Sequence, residues 1–539
     1  MSSLPSRPRL PWATWILIVV ATALAWLGSG AGDNSIEAAG AWERARPLLT
    51  ALSSPDLSTD ALAQGFELTI QTIAVATWGT ALGAAAGFVL ALGASHRVAH
   101  VPGRAPSRWR HARVELVRLL LDGLRAIPDF AWALVVLVFI GAGPVTGALA
   151  IAISVTGLLG KIYSQLLDST PPQRTQTVEL TGSSRVVVAL WGYVPAAAGP
   201  MLSYTLLRLE CSMRNASVIG IVGGGGLGAA LFEELGFGRY DRVATLLLFL
   251  LGLTAISDIV SKQIAKASPT RPRPQRFRLP LLAAFGLLVT ALPLASATQS
   301  AWQELLRLDT AFLRATIDNA SSLRLDQPTL TALFRDAAVP LSIAYLATGL
   351  AALAALLGLF LVPRHTTARG PLPRARQRGA RLLVDAVALL ARAIPDVVWL
   401  LLFGVALHVG PLAALAAISV HSFGLLCRLF VEAVHTLPPS RLEPRRLGTT
   451  RANFLWGVAP EIAPTLRTHV SLQAESNLRA GLIVGIVGAG GLGDAFHSSV
   501  TYWRLGDATL QALAMIGLTI AVDRLARRWS DARACARHR

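Results

Sequence analysis

The chain has 539 residues, 53% of them hydrophobic and only 15% charged, where soluble domains carry about 25% charged residues. With a mean hydropathy of +0.53 and long apolar runs, this balance points away from a soluble enzyme and to an integral membrane protein. The net charge is +18, but the positive residues sit in short loops between apolar segments, so they read as topology signals and not as a nucleic-acid surface.

A helix needs about 20 apolar residues to cross a bilayer. Six such segments are predicted in the first half, near 11–28, 62–94, 115–141, 145–167, 195–232 and 243–261. Six more follow near 279–297, 332–362, 382–409, 411–434, 460–497 and 507–524. The stretch Trp12–Leu27 has the outline of a signal peptide, yet a retained membrane helix is expected, because Leu279–Ala297 recurs at the matching place in the second half. The fifth segment of each half is too long for a simple span, and its glycines predict a break. Segments 29–60 and 298–330 are expected on the exterior.

The two halves repeat one another. RAIPD stands at Arg125–Asp129 and again at Arg392–Asp396, 267 positions later; GIVGGGGLG at Gly220–Gly228 returns as GIVGAGGLG at Gly485–Gly493, 265 positions later. Gly143-Pro144, Pro171-Pro172 and Leu190-Trp191-Gly192 return as Gly410-Pro411, Pro438-Pro439 and Leu455-Trp456-Gly457. A drift of two residues over so long a stretch marks a duplicated domain, with a period far beyond that of solenoid repeats. The expected domains are a first repeat at 1–267, a proline-rich cytoplasmic linker at 268–280 and a second repeat at 281–539.

Arginine-rich stretches fall at 96–113, 262–278, 364–381 and 524–539. They lie on one side only if each half crosses an even number of times, with both termini cytoplasmic. The predicted fold is therefore an all-α polytopic membrane protein with two parallel homologous halves of about six helices each.

Four constellations bear on chemistry. Gly223, Gly225, Gly226 and Gly228, and again Gly488, Gly490, Gly491 and Gly493, match a dinucleotide fingerprint in form. They end apolar segments instead of following a strand, so tight packing or a gate formed by a broken helix is expected. Glu210 and Arg214, repeated as Glu475 and Arg479, share a helical face at i, i+4; they form either a structural ion pair or a pathway group for an anion. Arg125 and Asp129, repeated as Arg392 and Asp396, flank Pro128 and Pro395, which kink or break the helix. The loops 170–191 and 436–456 each begin with a proline pair and contain Gly182 or Gly448, with Pro195 or Pro460 entering the next segment. They are candidate docking surfaces.

Other machinery is missing from the sequence. Gly157–Lys161 reads GLLGK, but Val155 and Ile162 stand where a phosphate-binding loop needs glycine and a hydroxyl. Cys211, Cys427 and Cys535 lack metal-site spacing, and His421 reads as a buried, hydrogen-bonded histidine.

In this order, and twice over, these motifs resemble the integral membrane permease of ABC-type importers, in particular the phosphonate-uptake branch. The resemblance covers about 125–258 and 392–523 and implies a type I importer permease fold. The thirteen residues from Gly182 to Pro195 are similar to the family's EAA coupling loop, although Gln176 and Leu442 replace its opening acid and Gly448 to Pro460 is one residue shorter. Ser212 replaces the asparagine of the E-x-N-x-R pattern that Asn477 keeps.

The resemblance implies a non-enzymatic transport subunit in the bacterial cytoplasmic membrane, surrounded by membrane lipid and working by alternating access. It implies two cytosolic ATP-binding subunits, which hold the ATP, and an extracytoplasmic substrate-binding protein; no cofactor is expected in this chain. Substrates would be phosphonates or related phosphorus oxyanions. A permease for an amino acid such as methionine and an ion-coupled secondary transporter are the alternatives. The second is disfavoured by acids that come with arginines four residues away.

Overall fold

The computed structural model describes residues 12–32, 38–99, 108–170, 178, 184–266, 310–323, 325–361, 371–435, 454 and 458–535. Among these residues every regular element is helical. The predicted span at 279–297, and Gly182 and Gly448, lie outside the described residues.

The chain forms two compact units. One comprises residues 44–323 and 497–517. Its elements are α2 (Ala38–Leu52), α3 (Thr59–Ala94), α4 (His96–Ala99), α5 (Arg108–Ala126), α6 (Asp129–Ile140), α7 (Pro144–Asp168), α8 (Val194–Ile219), α9 (Gly226–Gly236), α10 (Tyr240–Lys266) and α11 (Thr310–Ser321). The other unit comprises residues 1–43, 324–496 and 518–539. It holds α1 (Trp12–Ser29), α12 (Gln327–Leu361), α13 (Pro371–Ala393), α14 (Asp396–Leu407), α15 (Pro411–His435) and α16 (Ala459–Val484). The helices α17 (Leu492–Thr501) and α18 (Leu505–Cys535) follow. The first apolar helix thus packs with the later part of the chain: the hydroxyls of Thr22 and Tyr345 lie 3.3 Å apart, joining α1 to α12.

Six described helices are long and apolar enough to cross a membrane, or nine spans if each of three bent pairs counts as one. The stretches 115–141 and 382–409, expected to kink or break at Pro128 and Pro395, are bent to nearly a right angle. Helix α5 meets α6 at 91°, and α13 meets α14 at 96°. The stretches 29–60 and 298–330, expected on the exterior, contain the helices α2 and α11, whose polar surfaces hide them from a search for apolar runs.

Close packing of α3 on α7 organises the first unit. Gly79, Gly83 and Gly87 recur every four residues and so lie on one stripe of α3. A Cβ at Gly79 would sit 2.7 Å from the Ala148 carbonyl oxygen, and one at Gly83 2.7 Å from that of Ala152. Small residues let helix backbones approach this closely in a membrane, where apolar burial alone gives no preference for helix over lipid. In the second unit the buried stripe of α12 consists of Ala347, Ala351 and Ala355, one methyl group larger at each step.

Candidate substrate path and coupling elements

The RAIPD repeats build the two bends. Proline lacks an N–H, which leaves the carbonyl four residues earlier without its helical donor. For Pro128 that carbonyl belongs to Leu124, and the indole Nε1 of Trp132 donates to it at 3.1 Å. For Pro395 it belongs to Ala391, and Trp399 Nε1 donates to it at 3.0 Å. Each proline then caps the next helix, with Asp129 or Asp396 in its first turn, where a carboxylate suits the helix dipole. The tryptophans went unnoticed in the sequence, although each stands four residues after its proline.

The break separates Arg125 from Asp129, so their i, i+4 spacing does not produce a shared helical face. Arg125 Nε instead bonds Asp122 Oδ1 at 3.0 Å, and Lys161 also reaches Asp122. Asp129 faces α7 and α8. It accepts from Ser154, from Arg208 Nη2 at 3.1 Å and from Asn215 Nδ2 at 2.5 Å. The Asp129 and Arg208 side chains are each 14% exposed.

The second unit solves the same position differently. Adding the repeat spacings, 154 + 267 gives His421, 208 + 265 gives Gln473 and 215 + 265 gives Ala480, so the cation and the amide are both gone. Asp396 Oδ1 accepts only from the Val397 N–H, at 3.0 Å, among the hydrogen bonds of the described residues. His421 is half-buried, with Nδ1 3.0 Å from the Ile394 carbonyl oxygen. Gln473 turns to a neutral buried network. Its Nε2 donates to Ser422 Oγ at 3.1 Å and to Asn477 Oδ1 at 2.9 Å; Asn477 Nδ2 donates to Thr348 Oγ1 at 2.9 Å. Arg392 is buried.

The two Glu/Arg repeats also differ. Arg479 Nη2 lies 3.3 Å from Glu475 Oε1, one helical turn away. Among the described residues no ion pair joins Glu210 and Arg214, and Arg214 Nε is buried without a hydrogen-bond partner. Among the described residues the first unit therefore holds a partly buried guanidinium with no ion-pair partner within 4.0 Å.

The glycine runs form wide turns of helix that end in breaks. After α8, residues Gly220–Gly224 are π-helical, and Gly225 and Gly226 take φ of 72° and 74°. The second copy has the same wide turn at Gly485–Ala489, interrupted at Gly488 (φ 104°), with Gly490 and Gly491 at 85° and 76°. Positive φ strains any residue with a Cβ. A Cβ at Gly228 would lie 1.6 Å from the Ser217 carbonyl oxygen, and one at Gly493 2.1 Å from that of Leu482, so the returning helix rests directly on backbone. In the first unit Gln71 Oε1 and Thr72 Oγ1 accept from the N–H groups of Gly226 and Leu227 at 2.9 and 3.0 Å. These side chains satisfy donors that the break leaves open.

Of the residues expected to couple to a partner, Pro195 and Pro460 are exposed near the first turns of α8 and α16. Upstream of the first loop, Asp168 at the end of α7 accepts from Ser95 Oγ at 2.7 Å, from the Arg97 N–H at 3.1 Å and from Arg118 Nη2 at 2.7 Å.

Residues 105–267 match the family described as binding-protein-dependent transport system inner membrane component. They are an ABC importer permease domain. A phosphate-import permease, PhnE of Mycolicibacterium smegmatis, is 27% identical over 469 residues, covering 85% of this chain and 84% of that protein. A putative phosphite transport permease, HtxC of Stutzerimonas stutzeri, is 26% identical and covers 48% of this chain and 87% of its own length. A putative cryptic phosphonate permease, PhnE2 of Escherichia coli, is 29% identical over 22% of this chain and 97% of that protein. Residues 105–267 thus belong to a membrane-permease family, and the described residues are all helical, with bent and broken helices.

Proposed function

We propose that this chain is the membrane permease of an ATP-driven importer for phosphorus oxyanions, in the range of phosphonate, phosphite and phosphate. The observation that carries the reading is the similarity along nearly the whole chain to a permease named for phosphate import. Shorter relatives named for phosphite and phosphonate support the same class. One of them aligns over most of its own length with about half of this chain, which favours a single chain carrying both permease repeats, divided at the linker 268–280.

In this reading the work is alternating access, with no covalent chemistry in the chain. Two cytosolic ATPase subunits bind and hydrolyse ATP, an extracytoplasmic binding protein delivers substrate, and both termini face the cytoplasm. Gly182, Pro195, Gly448 and Pro460 belong to the surfaces that meet the ATPases. The broken helices at Gly223–Gly228 and Gly488–Gly493 serve as gates.

Arg214 is the residue we place on the anion path. Leaving a buried charge uncompensated is costly, and a guanidinium offers a planar fork of donors that fits phosphorus oxyanions. A passing oxyanion supplies the missing counter-charge. Glu210 favours release by competing for the cation. Arg479 is held by Glu475, so its contribution requires that pair to open; Arg125, Asp129, Arg392 and Asp396 act on the path by setting the bends.

The test is uptake by proteoliposomes holding this chain with its cognate ATPase and binding protein. ATP-dependent accumulation of a phosphorus oxyanion, with no methionine uptake, is expected. Methionine uptake without phosphorus-oxyanion uptake would overturn the substrate class.

A further inference from the structure

A cluster with metal-binding chemistry lies apart from the residues assigned to transport. His111 and Glu115 are one turn apart on α5, at the i, i+4 spacing that aligns two side chains on one face. His96 opens α4 and approaches the same face. Its Nε2 lies 3.3 Å from Glu115 Oε1, and its ring stacks on that of His111 with centroids 5.3 Å apart. One ligand atom from each of the three residues falls within 4.8 Å of the other two.

We propose that His96, His111 and Glu115 bind a divalent transition-metal ion of the zinc class. Two imidazoles and a carboxylate are a donor set that zinc accepts, leaving a fourth position for water. Donors about 2.1 Å from a tetrahedral ion stand about 3.4 Å from one another. The His96–Glu115 separation already has that value, and rotation of the exposed His111 side chain closes the rest. Harder cations such as magnesium prefer all-oxygen shells, so the two imidazoles select against them.

The scaffold on one side of the cluster is fixed. Ser95 and the Arg97 N–H hold α4 onto Asp168 of α7. Arg118, one turn beyond Glu115, bonds both Asp168 and the Ala94 carbonyl. An ion bridging His96 to α5 would therefore brace the ends of α3, α5 and α7 together, next to the loop that follows Asp168. The second repeat has no such site, since 111 + 267 is Arg378 and 115 + 267 is Leu382. The site is thus not repeated at the equivalent positions and would act on one half of the permease. This inference is independent of which anion is transported.

The test uses the purified full-length chain, carrying an affinity tag without histidine, in detergent. Cobalt(II) is the probe, because its visible absorption reports coordination by nitrogen and oxygen. One equivalent of cobalt bound and displaced by zinc is expected for the parent chain. His111→Asn, Glu115→Gln and His96→Gln should each abolish that equivalent, while Arg378→Ala should leave it intact. Because the three donors come from two helices and are partly exposed, metal-free melting temperatures should match the parent within error. Absence of saturable cobalt uptake would overturn the proposal, as would unchanged uptake in His111→Asn and Glu115→Gln with normal melting.

Discussion

The two units share a backbone device and differ in the chemistry around it. Both bend at the proline of RAIPD, and both return a tryptophan indole to the carbonyl that the proline strands. Around the first bend the polar contacts are ionic, with Asp129 held by Arg208 and Asn215. In the second unit Gln473 takes the place of the arginine and joins a neutral network with Ser422 and Asn477. The two repeats thus share backbone geometry while the charges around it differ. The Glu/Arg repeats follow the same rule, paired in one copy and open in the other. A bend is fixed by a local rule about one missing N–H, whereas the charges around it are set by no such rule and differ between the copies.

The largest expected effect tests the ionic side of this contrast. Asp129→Asn leaves Arg208 partly buried with no counter-charge, and losing one member of a buried pair costs about 3–5 kcal/mol. Asp396→Asn removes no ion pair among the described residues and should cost less than about 1 kcal/mol. Thermal unfolding of the two variants in detergent checks the difference. Similar losses at both positions would break the comparison, and the double change Asp129→Asn with Arg208→Gln should recover part of the first loss.

The packing stripes sharpen it next. Gly83→Ala puts a Cβ against the Ala152 carbonyl, and overpacking of this kind typically costs about 1–3 kcal/mol. Ala351→Gly in the corresponding stripe should cost only about 1 kcal/mol, mostly from helix propensity. A Gly83→Ala variant that melts like the parent would mean that α3 and α7 move apart freely.

Next comes the neutral network. Asn477→Leu strands buried polar groups of Ser422, Gln473 and Thr348, at about 1–3 kcal/mol. Ser212, its counterpart in the first unit, is buried with an unpartnered hydroxyl, so Ser212→Ala should be neutral within measurement error of the melting temperature.

The smallest effect concerns the shared device. Trp132→Phe and Trp399→Phe each remove one hydrogen bond, worth about 1 kcal/mol, and the two losses should be equal. A marked inequality would show that one of the bends is held by something other than its indole.

Much of this architecture was readable in the sequence because it is written in local terms. Nine of the twelve predicted spans recur among the described residues as six apolar helices and three bent pairs, while 195–232 falls short of that apolar length; the helix breaks follow from Pro128, Pro395 and the glycine runs. The duplication follows from repeated words. The partners of Asp129 were not readable, because Arg208 and Asn215 lie on a helix about eighty residues later and no local pattern links them. For Arg125 and Asp129 the break expected at Pro128 is present, and it cancels the helical face that their i, i+4 spacing would otherwise give. Glu475 and Arg479, and likewise Glu210 and Arg214, do share a face of one helix, but among the described residues only the first of these pairs closes into an ion pair. The right-angled bends were hidden as well: apolar length measures how much chain lies in a membrane, not the direction in which it runs.

The most direct test of the account is uptake by two charge-neutral variants compared side by side. One carries Glu210→Gln with Arg214→Gln; the other carries Glu475→Gln with Arg479→Gln. Both are assembled with the cognate ATPase and binding protein in liposomes at equal amounts. The account predicts that the first variant loses ATP-dependent phosphorus-oxyanion uptake and that the second, whose charges already neutralise one another, keeps the larger share. Normal uptake by the first variant at normal assembly would contradict the assignment of Arg214 to the anion path.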